Sequence, residues 1–506
     1  MSLCNIKSIG APAVMAALLL SILALAGCAR NLNYSEYSPS VSADGRMIVY
    51  QTDRIGPDKY KIYLKYKTLL GWTPAIPLLF ANSAVDDDGA PFITYDQNRL
   101  LVSSDKGGGQ GGVDIWISER RGPVWGKPVN LGKPVNSAGY DGFATISPDG
   151  ENIYFVRQCP DKKCGGKECF GLYSSQKVNG RWAEPRRMPA PVNSEYSEFG
   201  PIILADGRTL LFSSTRPGGM GGYDLYKTEM MDNGRWSEPV NLGETINTTA
   251  DDRLASVPAA GDIMYISKPD TRGRFRIEKV RIPEKLRQTS VMAVAGIVSD
   301  KTDPDKKLES EIVITDVETG EDYEIKSNAG DGKYFIILHR NRNYDVSIRS
   351  AGYLFYSTRF DLKDRAVEAK YTELIRDIEL SPITKGAVFT LNNVYFDFRS
   401  SVLREDSHFE LDRVVAMLQR NPEMTIEIGG HTDDTGTPAF NLKLSKERAG
   451  SVAGYFVKRG ISQKRLAVKG YGIERPVSTG TGEKARAMNR RVEIKILKHG
   501  KNVSCR

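Results

Sequence analysis

Short runs of alternating apolar and polar residues recur along the first half of the chain, each directly after an aspartate-containing turn. The four clearest copies are "SADGRMIVY" (42–50), "TYDQNRLLV" (94–102), "SPDGENIYF" (147–155) and "LADGRTLLF" (204–212). A tryptophan follows each run, and these markers are Trp72, Trp125, Trp182 and Trp236. Period-two alternation predicts strands, and Asp-Gly before such a run favours a hairpin turn. Each repeat has room for about four short strands.

The repeats resemble the PD40 (WD40-like) repeats of TolB-type proteins over residues 38–283, with a degraded fifth copy from "VPAAGDIMYIS" to "RFRIEKVRI". That resemblance implies a β-propeller, a fold whose loops surround a channel mouth. The recurring Asp and Trp residues are expected to serve turns and packing between blades. The alternative is a sugar- or metal-binding role for the "GGVD" (111–114) and "GGYD" (221–224) turns. The loops of a propeller are expected to bind a protein or a glycan without catalysis, and an unknown protein partner is predicted, although no residue here identifies the ligand.

A different all-β pattern occupies residues 290–380. Apolar residues alternate in "EIVITD", "KYFIILH" and "YDVSIRS", and the turns between them contain "TG", "GDG" and "AGY". This pattern predicts a small antiparallel β-sandwich. The segment is similar to the carboxypeptidase-regulatory-like domain, but its one histidine, His339, leaves no zinc-binding cluster. It is therefore interpreted as a spacer or interaction module rather than a protease.

Helical spacing first becomes clear after residue 384. One predicted helix has Leu411, Val414, Val415 and Leu418 on its apolar face, and a second has Leu442, Ala449, Val452, Ala453 and Phe456. Strands are predicted at "NVYFDFRSSVL" (393–403), "MTIEIGG" (424–430), "LAVKGYG" (466–472) and "NRRVEIKIL" (489–497). The predicted fold class is thus multidomain: an all-β propeller, a small β-sandwich, and an α/β domain with a mixed sheet.

A spaced motif runs through this last domain. It comprises "HTDDTG" (431–436), "NLKLSKERA" (441–449), "GYG" (470–472), Pro476 and "NRRVE" (489–493). On these residues the segment 384–497 resembles the OmpA-like peptidoglycan-binding domain. The resemblance implies that the chain binds peptidoglycan without being an enzyme.

The stem peptides of peptidoglycan commonly carry diaminopimelate, whose free end is a zwitterion, and the resemblance assigns it a pocket. Asp433 is expected to accept hydrogen bonds from the ammonium, and Arg448 to donate two to the carboxylate in fork geometry. Thr432, Asn441 and Arg490 are expected to complete the pocket, whereas Arg491 and Glu493 serve folding. The alternative is an internal salt bridge between Asp433 and Arg448.

The pattern of the N-terminal segment predicts a secretory signal. An apolar run at 11–26 follows Lys7 and ends in "LAGC" (25–28), which resembles the lipobox of bacterial lipoproteins. The resemblance implies cleavage of residues 1–27 and lipid attachment at Cys28, with diacylglycerol and an N-acyl chain such as palmitate. Two or more acyl chains suffice for stable anchoring. Residues 28–37 are then predicted to form the lipid anchor and linker, and residues 498–506 a tail. The predicted location of the chain is the periplasmic face of the outer membrane.

Four further cysteines are left for disulfides. Cys159, Cys164 and Cys169 share one insertion, and Cys505 is next to the end of the chain. Zinc sites usually have tighter pairs and a fourth ligand, so a disulfide formed in an oxidising compartment is favoured. The sequence leaves the pairing open.

Positive charge is concentrated in the C-terminal domain. The chain has a net charge of +8, and residues 384–506 hold 22 Lys and Arg against 13 Asp and Glu, or +9. An excess of this size favours an anionic partner. The signal segment argues against nucleic acid as that partner and is consistent with the wall.

Two alternative functions remain open from the sequence. An enzyme is disfavoured because the chain has four histidines and contains no HExxH, GxSxG or CxxC motif. No catalytic residue, metal or cofactor is therefore predicted. The domain order also resembles envelope lipoproteins that include PorE-like components of type IX secretion, although this chain lacks their N-terminal helical repeats. An accessory role in a secretion or uptake machine, with the propeller as scaffold, is the second alternative.

Overall fold

The computed structural model describes residues 34–54, 56, 59–83, 86–164, 167–363, 372–397, 399–480 and 482–499. These residues divide into two compact units: the first comprises the described residues up to Ala293 together with 372–373, and the second comprises the rest, from Val294 onward. The expected lipidation site Cys28, the side chain of Cys164, and Cys505 lie outside the described residues. Within the described residues, no helix combines the length and apolar character needed to cross a bilayer.

The first unit is built from five consecutive antiparallel sheets. The first sheet contains β1 (Glu36–Val41), β2 (Met47–Thr52), β3 (Lys61–Thr68), β4 (Gly71–Trp72) and β5 (Ile76–Pro77). The second contains β6 (Asp88–Ile93), β7 (Arg99–Ser104), β8 (Asp114–Arg121), β9 (Val124–Trp125) and β10 (Val129–Asn130). The third contains β11 (Asp141–Ile146), β12 (Asn152–Cys164), β13 (Lys167–Val178), β14 (Arg181–Trp182) and β15 (Arg186–Arg187). The fourth contains β16 (Glu198–Ile203), β17 (Thr209–Ser214), β18 (Asp224–Glu229) and β19 (Val240–Asn241). The fifth contains β20 (Ala255–Ser256), β21 (Ile263–Pro269) and β22 (Phe275–Arg281).

Each sheet contacts the next one along the chain. Strand β1 contacts β6, β11 contacts β6 and β7, and β16 contacts β11. Leu211 of the fourth sheet and Met264 of the fifth share one buried apolar cluster. The fifth sheet in turn contacts β1, and the backbone N–H of Ala259 donates to the carbonyl of Ala43 at 3.0 Å. The order of contacts therefore returns to its starting sheet.

The repeated aspartates and tryptophans have structural roles. Each of the four aspartates accepts a backbone N–H from the residue two positions on, at 3.0–3.1 Å, and these are Asp44, Asp96, Asp149 and Asp206. An Asx turn of this kind reverses the chain before the next strand. Trp72 packs edge-on against Tyr265 of the fifth sheet, and Trp236 packs edge-on against Tyr154 of the third. Trp72 and Trp236 therefore each pack against a neighbouring sheet.

The cysteine-rich insertion extends the hairpin of β12 and β13. Cys159 and Cys169 are opposite each other in the strand register. Cys169 is disulfide-bonded, whereas Cys159 carries a free thiol. Cys159 is therefore not one of the two paired cysteines.

The second unit begins with two four-stranded sheets. One contains β23 (Val291–Asp300), β26 (Lys333–His339), β29 (Thr372–Ile375) and β30 (Ile378–Leu380). The other contains β24 (Glu311–Asp316), β25 (Asp322–Lys326), β27 (Asn343–Arg349) and β28 (Tyr356–Asp361). Alternate residues of the central strands, such as Ile312, Ile336 and Val346, are buried. This alternation is the one on which the sequence prediction rested.

A mixed sheet with helices forms the C-terminal part. Its strands are β31 (Val388–Leu391), β32 (Thr425–His431), β33 (Leu466–Gly472) and β34 (Val492–Lys498), in the order β31-β34-β32-β33. Only β32 and β33 pair in parallel. The helices are α1 (His408–Arg420), α2 (Pro438–Lys458) and α3 (Glu483–Asn489). The mixed sheet and the two long helices agree with the sequence prediction.

Two details of that prediction are wrong. The segment 393–403 is not a strand; it has an isolated bridge between Phe396 and Leu403, and the first strand lies earlier, at β31. The backbone of Tyr395 exchanges hydrogen bonds with the Ser407 hydroxyl instead, at 2.8 and 3.0 Å. Leu442, expected on the buried face of α2, is exposed. Leu444 and Ser445 are buried at the same end of the helix.

The sandwich and the C-terminal sheet share buried contacts. Leu354, at the end of the sandwich, belongs to the same apolar cluster as Leu411 of α1. The hydroxyl of Ser357 donates to the carboxyl of Glu410 at 2.5 Å, and the backbone N–H of Asn392 donates to the same oxygen at 3.2 Å. Burial raises the pKa of Glu410, despite these hydrogen bonds. The two parts of this unit are therefore joined by packing as well as by the chain.

Candidate functional site

The candidate site lies where β32 ends and α2 begins. Helix α2 can pack close to the strand because Gly430 has no side chain: a Cβ there would lie 2.0 Å from the carbonyl oxygen of Ser445. The chain then turns through residues 432–437, with Gly436 at a φ of +97°. Thr437 caps the helix by accepting the backbone N–H of Phe440, and Pro438 occupies the first helical position. The "GGHTDDTGTP" segment thus ends the strand and begins the helix.

A cavity of about 580 Å³ opens beside this turn. All five predicted binding residues line it, namely Thr432, Asp433, Asn441, Arg448 and Arg490. Its charged lining consists of six arginines and three acids: Arg399, Arg404, Arg448, Arg486, Arg490, Arg491, Asp397, Asp433 and Glu483. The cavity is therefore positively charged overall, with Asp433 in the turn as an acceptor.

Asp433 is buried and held by three hydrogen bonds. One of its oxygens accepts the backbone N–H of Thr435 at 3.0 Å and also the Thr435 hydroxyl. The other accepts Nη1 of Arg490 at 2.7 Å. Burial alone would raise the pKa of Asp433, but the bonds from Thr435 and Arg490 outweigh it and lower that pKa below its usual value. Asp433 is thus a fixed anion at neutral pH.

Arg448 projects into the same cavity from α2. Its Nε donates to the carbonyl oxygen of Ser400 at 2.9 Å, and its guanidinium lies over the ring of Phe396, 5.0 Å from the centroid. Burial lowers the pKa of Arg448, although the nearby carboxylate of Asp433 acts in the opposite direction. Among the described side chains, Arg448 has no carboxylate within ion-pair distance. The structure therefore does not contain the Asp433–Arg448 salt bridge that was the alternative from the sequence.

Arg490 is the cation that neutralises Asp433, which the sequence did not indicate. Its second terminal nitrogen bonds the carboxylate of Glu483 at 2.6 Å. The bond to Asp433, and then the one to Glu483, raise the pKa of Arg490. Position 490 was expected to shape the pocket, and it does so as part of this ion-pair chain.

Asn441 and Thr432 hold and line the turn. The side-chain amide of Asn441 donates to the carbonyl of Thr435 at 3.0 Å, which fixes the turn against the first turn of α2. Thr432 is buried, and its hydroxyl has no hydrogen-bond partner within the described part of the chain. A buried hydroxyl without a partner is costly, and Thr432 is the lining residue that bears this cost.

Sequence reasoning missed the aromatic wall of the cavity. Tyr395, Phe396 and Phe440 line it. The run "NVYFDF" was the available signal, but its alternation was interpreted as a strand. The arrangement as a whole offers an anion, a separate guanidinium and apolar walls, and it suits a small zwitterion better than acid–base chemistry.

Comparison with known proteins places the C-terminal domain in a family. Residues 395–490 match the OmpA family. The chain is 38% identical over 117 residues to Outer membrane protein A of Bordetella avium, covering 23% of this chain and 60% of that protein. It is 38% identical over 111 residues to the Peptidoglycan-associated lipoprotein of Pseudomonas aeruginosa, covering 22% and 66%. Less than two thirds of either relative is spanned.

A solved structure is also similar to this chain. The crystal structure of the peptidoglycan-associated lipoprotein from Burkholderia pseudomallei aligns with 32% identity, covering 20% of this chain and 87% of that one, with a TM-score of 0.20. By the family match, the chain has a C-terminal OmpA family domain over residues 395–490.

Proposed function

We propose that the C-terminal domain binds the diaminopimelate end of peptidoglycan stem peptides and so tethers the chain to the cell wall. One observation carries the proposal: Asp433 and Arg448 line one cavity without neutralising each other. A zwitterion needs an acceptor for its ammonium and a donor for its carboxylate, and the cavity offers both. The names of the two relatives, an outer membrane protein and a peptidoglycan-associated lipoprotein, support a location in the envelope.

Arg448 is the proposed carboxylate ligand. Because Nε is occupied by the carbonyl of Ser400, the guanidinium is held in place while its two terminal nitrogens remain for a carboxylate. Two parallel N–H···O bonds in this geometry are stronger and more selective than one. The Phe396 ring beneath the guanidinium limits its motion further.

Asp433 is the proposed ligand for the ammonium. It already bonds Thr435 and Arg490, but a carboxylate has about four lone-pair sites and can accept further hydrogen bonds. Arg490 would keep Asp433 ionised before binding and share it afterwards. The unpartnered hydroxyl of Thr432 is available for a third contact.

For the first unit we propose a closed propeller over residues 38–283 that binds a protein partner. Each of its five sheets contacts the next one along the chain, and the fifth contacts the first, which supports that architecture. With lipid at Cys28, the chain would connect the outer membrane, or a complex bound to the propeller, to the wall. No catalytic residue is assigned.

Cosedimentation with purified peptidoglycan tests the wall-binding proposal. Asp433→Ala and Arg448→Ala should each weaken binding about tenfold or more, because a charge-assisted hydrogen bond contributes roughly 1.5–3 kcal/mol. Arg448→Lys should resemble Arg448→Ala, since an ammonium keeps the charge but loses the fork. Free diaminopimelate should compete with binding at physiological salt.

Matched controls come from the same domain. Glu447→Ala removes a carboxylate of α2 that does not line the cavity, and Arg459→Ala removes an exposed arginine from the far end of α2. Both should sediment like the wild type. If the Asp433 and Arg448 variants also do so at physiological salt, the assigned roles are wrong; if all four weaken alike, attraction is only general.

A further inference from the structure

The hairpin between β3 and β4 exposes two leucines almost completely. Leu69 is 107% exposed and Leu70 is 97% exposed, relative to an extended reference. Leu79, just after β5, is 79% exposed. Large apolar side chains that are exposed singly need no explanation, but here two occupy one hairpin tip and a third lies further along the same edge of the sheet.

The other repeats show that these leucines are particular to the first sheet. Counting back from the tryptophan of each hairpin, Leu69 and Leu70 correspond to Gly122-Pro123, Asn179-Gly180 and Asn233-Gly234. Leu79, after the buried Leu78, corresponds in the same way to Gly132 and Gly243 after Leu131 and Leu242. Gly, Pro and Asn are ordinary turn residues. The fold therefore does not require leucine at these positions.

The exposed residues lie along one edge of the first sheet. Leu69 and Leu70 form its hairpin tip, because Thr68 pairs with Gly71. Ile76 pairs with Leu64 and is exposed, and the backbone N–H of Leu78 bonds the carbonyl of Ile62 at 3.0 Å. The exposed apolar residues thus run from the hairpin tip, past β5, towards the opposite end of the sheet, where Tyr34 lies.

We propose that this edge inserts into the surface of a phospholipid bilayer. Protruding side chains at a convex tip offer no groove for a partner, whereas fluid acyl chains accept them without a matching surface. Residues 65–79 contain two lysines and no acid. Lys65 pairs with Glu36 at 2.6 Å, whereas Lys67 is exposed beside the tip, as expected for contact with anionic headgroups. Trp72 and Tyr66 are half-exposed there, and such rings favour the headgroup level.

The position of the membrane anchor fits this occupant. The inference rests on the proposed lipidation at Cys28, six residues before Tyr34, the first residue that the structure describes. Those six steps span at most about 20 Å. Tyr34 lies at the opposite end of β3 from the tip, so the anchor would bring the whole edge, rather than the tip alone, to the membrane. The edge would then be a second, protein-based contact that orients the first unit on the membrane.

Binding to vesicles of phosphatidylethanolamine and phosphatidylglycerol tests the proposal, using the mature chain from Ala29 without acyl chains. Leu69→Asn with Leu70→Gly restores the turn of the third and fourth repeats and should weaken binding at least about tenfold. Val124→Asn with Val129→Asn removes two exposed valines from the second sheet and should leave binding unchanged. Equal melting temperatures for all three proteins exclude misfolding.

A depth measurement on the acylated protein gives an independent readout. Relative to the wild type, whose five tryptophans set the background, Leu70→Trp should add emission that brominated acyl chains quench, whereas Val124→Trp should add emission that they do not quench. Peptidoglycan is absent from both experiments, so a wrong role for Asp433 or Arg448 would not affect them, and the vesicle assay does not need acylation. The proposal is overturned if the unacylated chain does not bind vesicles, if both double variants bind equally, or if position 70 is not quenched.

Discussion

Glu493 of β34 lies at the centre of a buried charge cluster behind the binding turn. One carboxylate oxygen accepts Nε of Arg491 at 2.7 Å, and the other lies 3.1 Å from Nε2 of His431. Burial opposes ionisation, but the contacts from His431 and Arg491 outweigh it and lower the pKa of Glu493 to about 2. We therefore expect Glu493→Gln to destabilise the C-terminal domain at neutral pH.

The size of the effect follows from the displacement of this pKa. The pKa of Glu493 falls from an ordinary value of 4.5 to about 2, a difference of about 2.5. At about 1.4 kcal/mol for each pKa unit, this is roughly 3.5 kcal/mol. The side chain is 20% exposed, so water screens part of the interaction and about 2 kcal/mol is the better expectation. Because the folded-state pKa is depressed, the contribution is complete above pH 4.5, about halved near pH 3, and lost below pH 2.

Urea unfolding of residues 294–506, followed by circular dichroism, measures this difference. Wild type and Glu493→Gln should differ by about 2 kcal/mol at pH 7 and by about half of that at pH 3. Glu423→Gln is the matched control, because Glu423 makes only an exposed pair with Lys498 and such pairs are worth about 0–1 kcal/mol. A difference at pH 7 no larger than the control's, or one that does not shrink in acid, would refute the reasoning.

Three further outcomes are expected. A fragment that begins at Lys385 should unfold at a lower urea concentration than residues 294–506, because it lacks the packing of Leu354. In the longer segment, Leu354→Ala should lower the free energy of unfolding by about 2–4 kcal/mol in the same measurement. Gly430→Ala should abolish peptidoglycan sedimentation together with a loss of stability, because its Cβ would meet the carbonyl of α2. Peptidoglycan binding at pH 5 should equal that at pH 7, because the pKa of Asp433 is below 3.8 and the site stays ionised; a midpoint above pH 5 would contradict this.

Much of the strand pattern could be predicted from sequence because local chemistry determines it. Asp149, for example, accepts the N–H of Glu151 and so produces the turn that precedes β12, whatever the surrounding fold. The two long helices could be predicted equally well. Leu411 of α1 and Phe456 of α2 each belong to an apolar face with helical spacing, and both are buried. In these elements, local preference and tertiary packing agree.

The segment 393–403 shows where such prediction ends. Its alternation is genuine, but Phe396 lies beneath Arg448 in the cavity and Arg399 adopts a positive φ of 53°. The Ser407 hydroxyl satisfies the backbone of Tyr395 in place of a neighbouring strand. Likewise, the partner of Asp433 depends on how Arg490 is placed after α3, which no local pattern encodes. Site residues were found by motif, whereas the contacts between them required the fold.

The contacts of Leu354 and Ser357 with the C-terminal core bear on mechanical load. In the proposed tether, force from the wall would enter at residues 432–437 and force from the membrane at the N-terminal side of the sandwich. The sandwich cannot lengthen until Leu354 leaves the cluster around Leu411 and Ser357 leaves Glu410. Sandwich and wall-binding domain are therefore expected to yield together, in one long extension under a pulling force. Sharing a core in this way moves the weakest point of the tether away from its attachment to the wall.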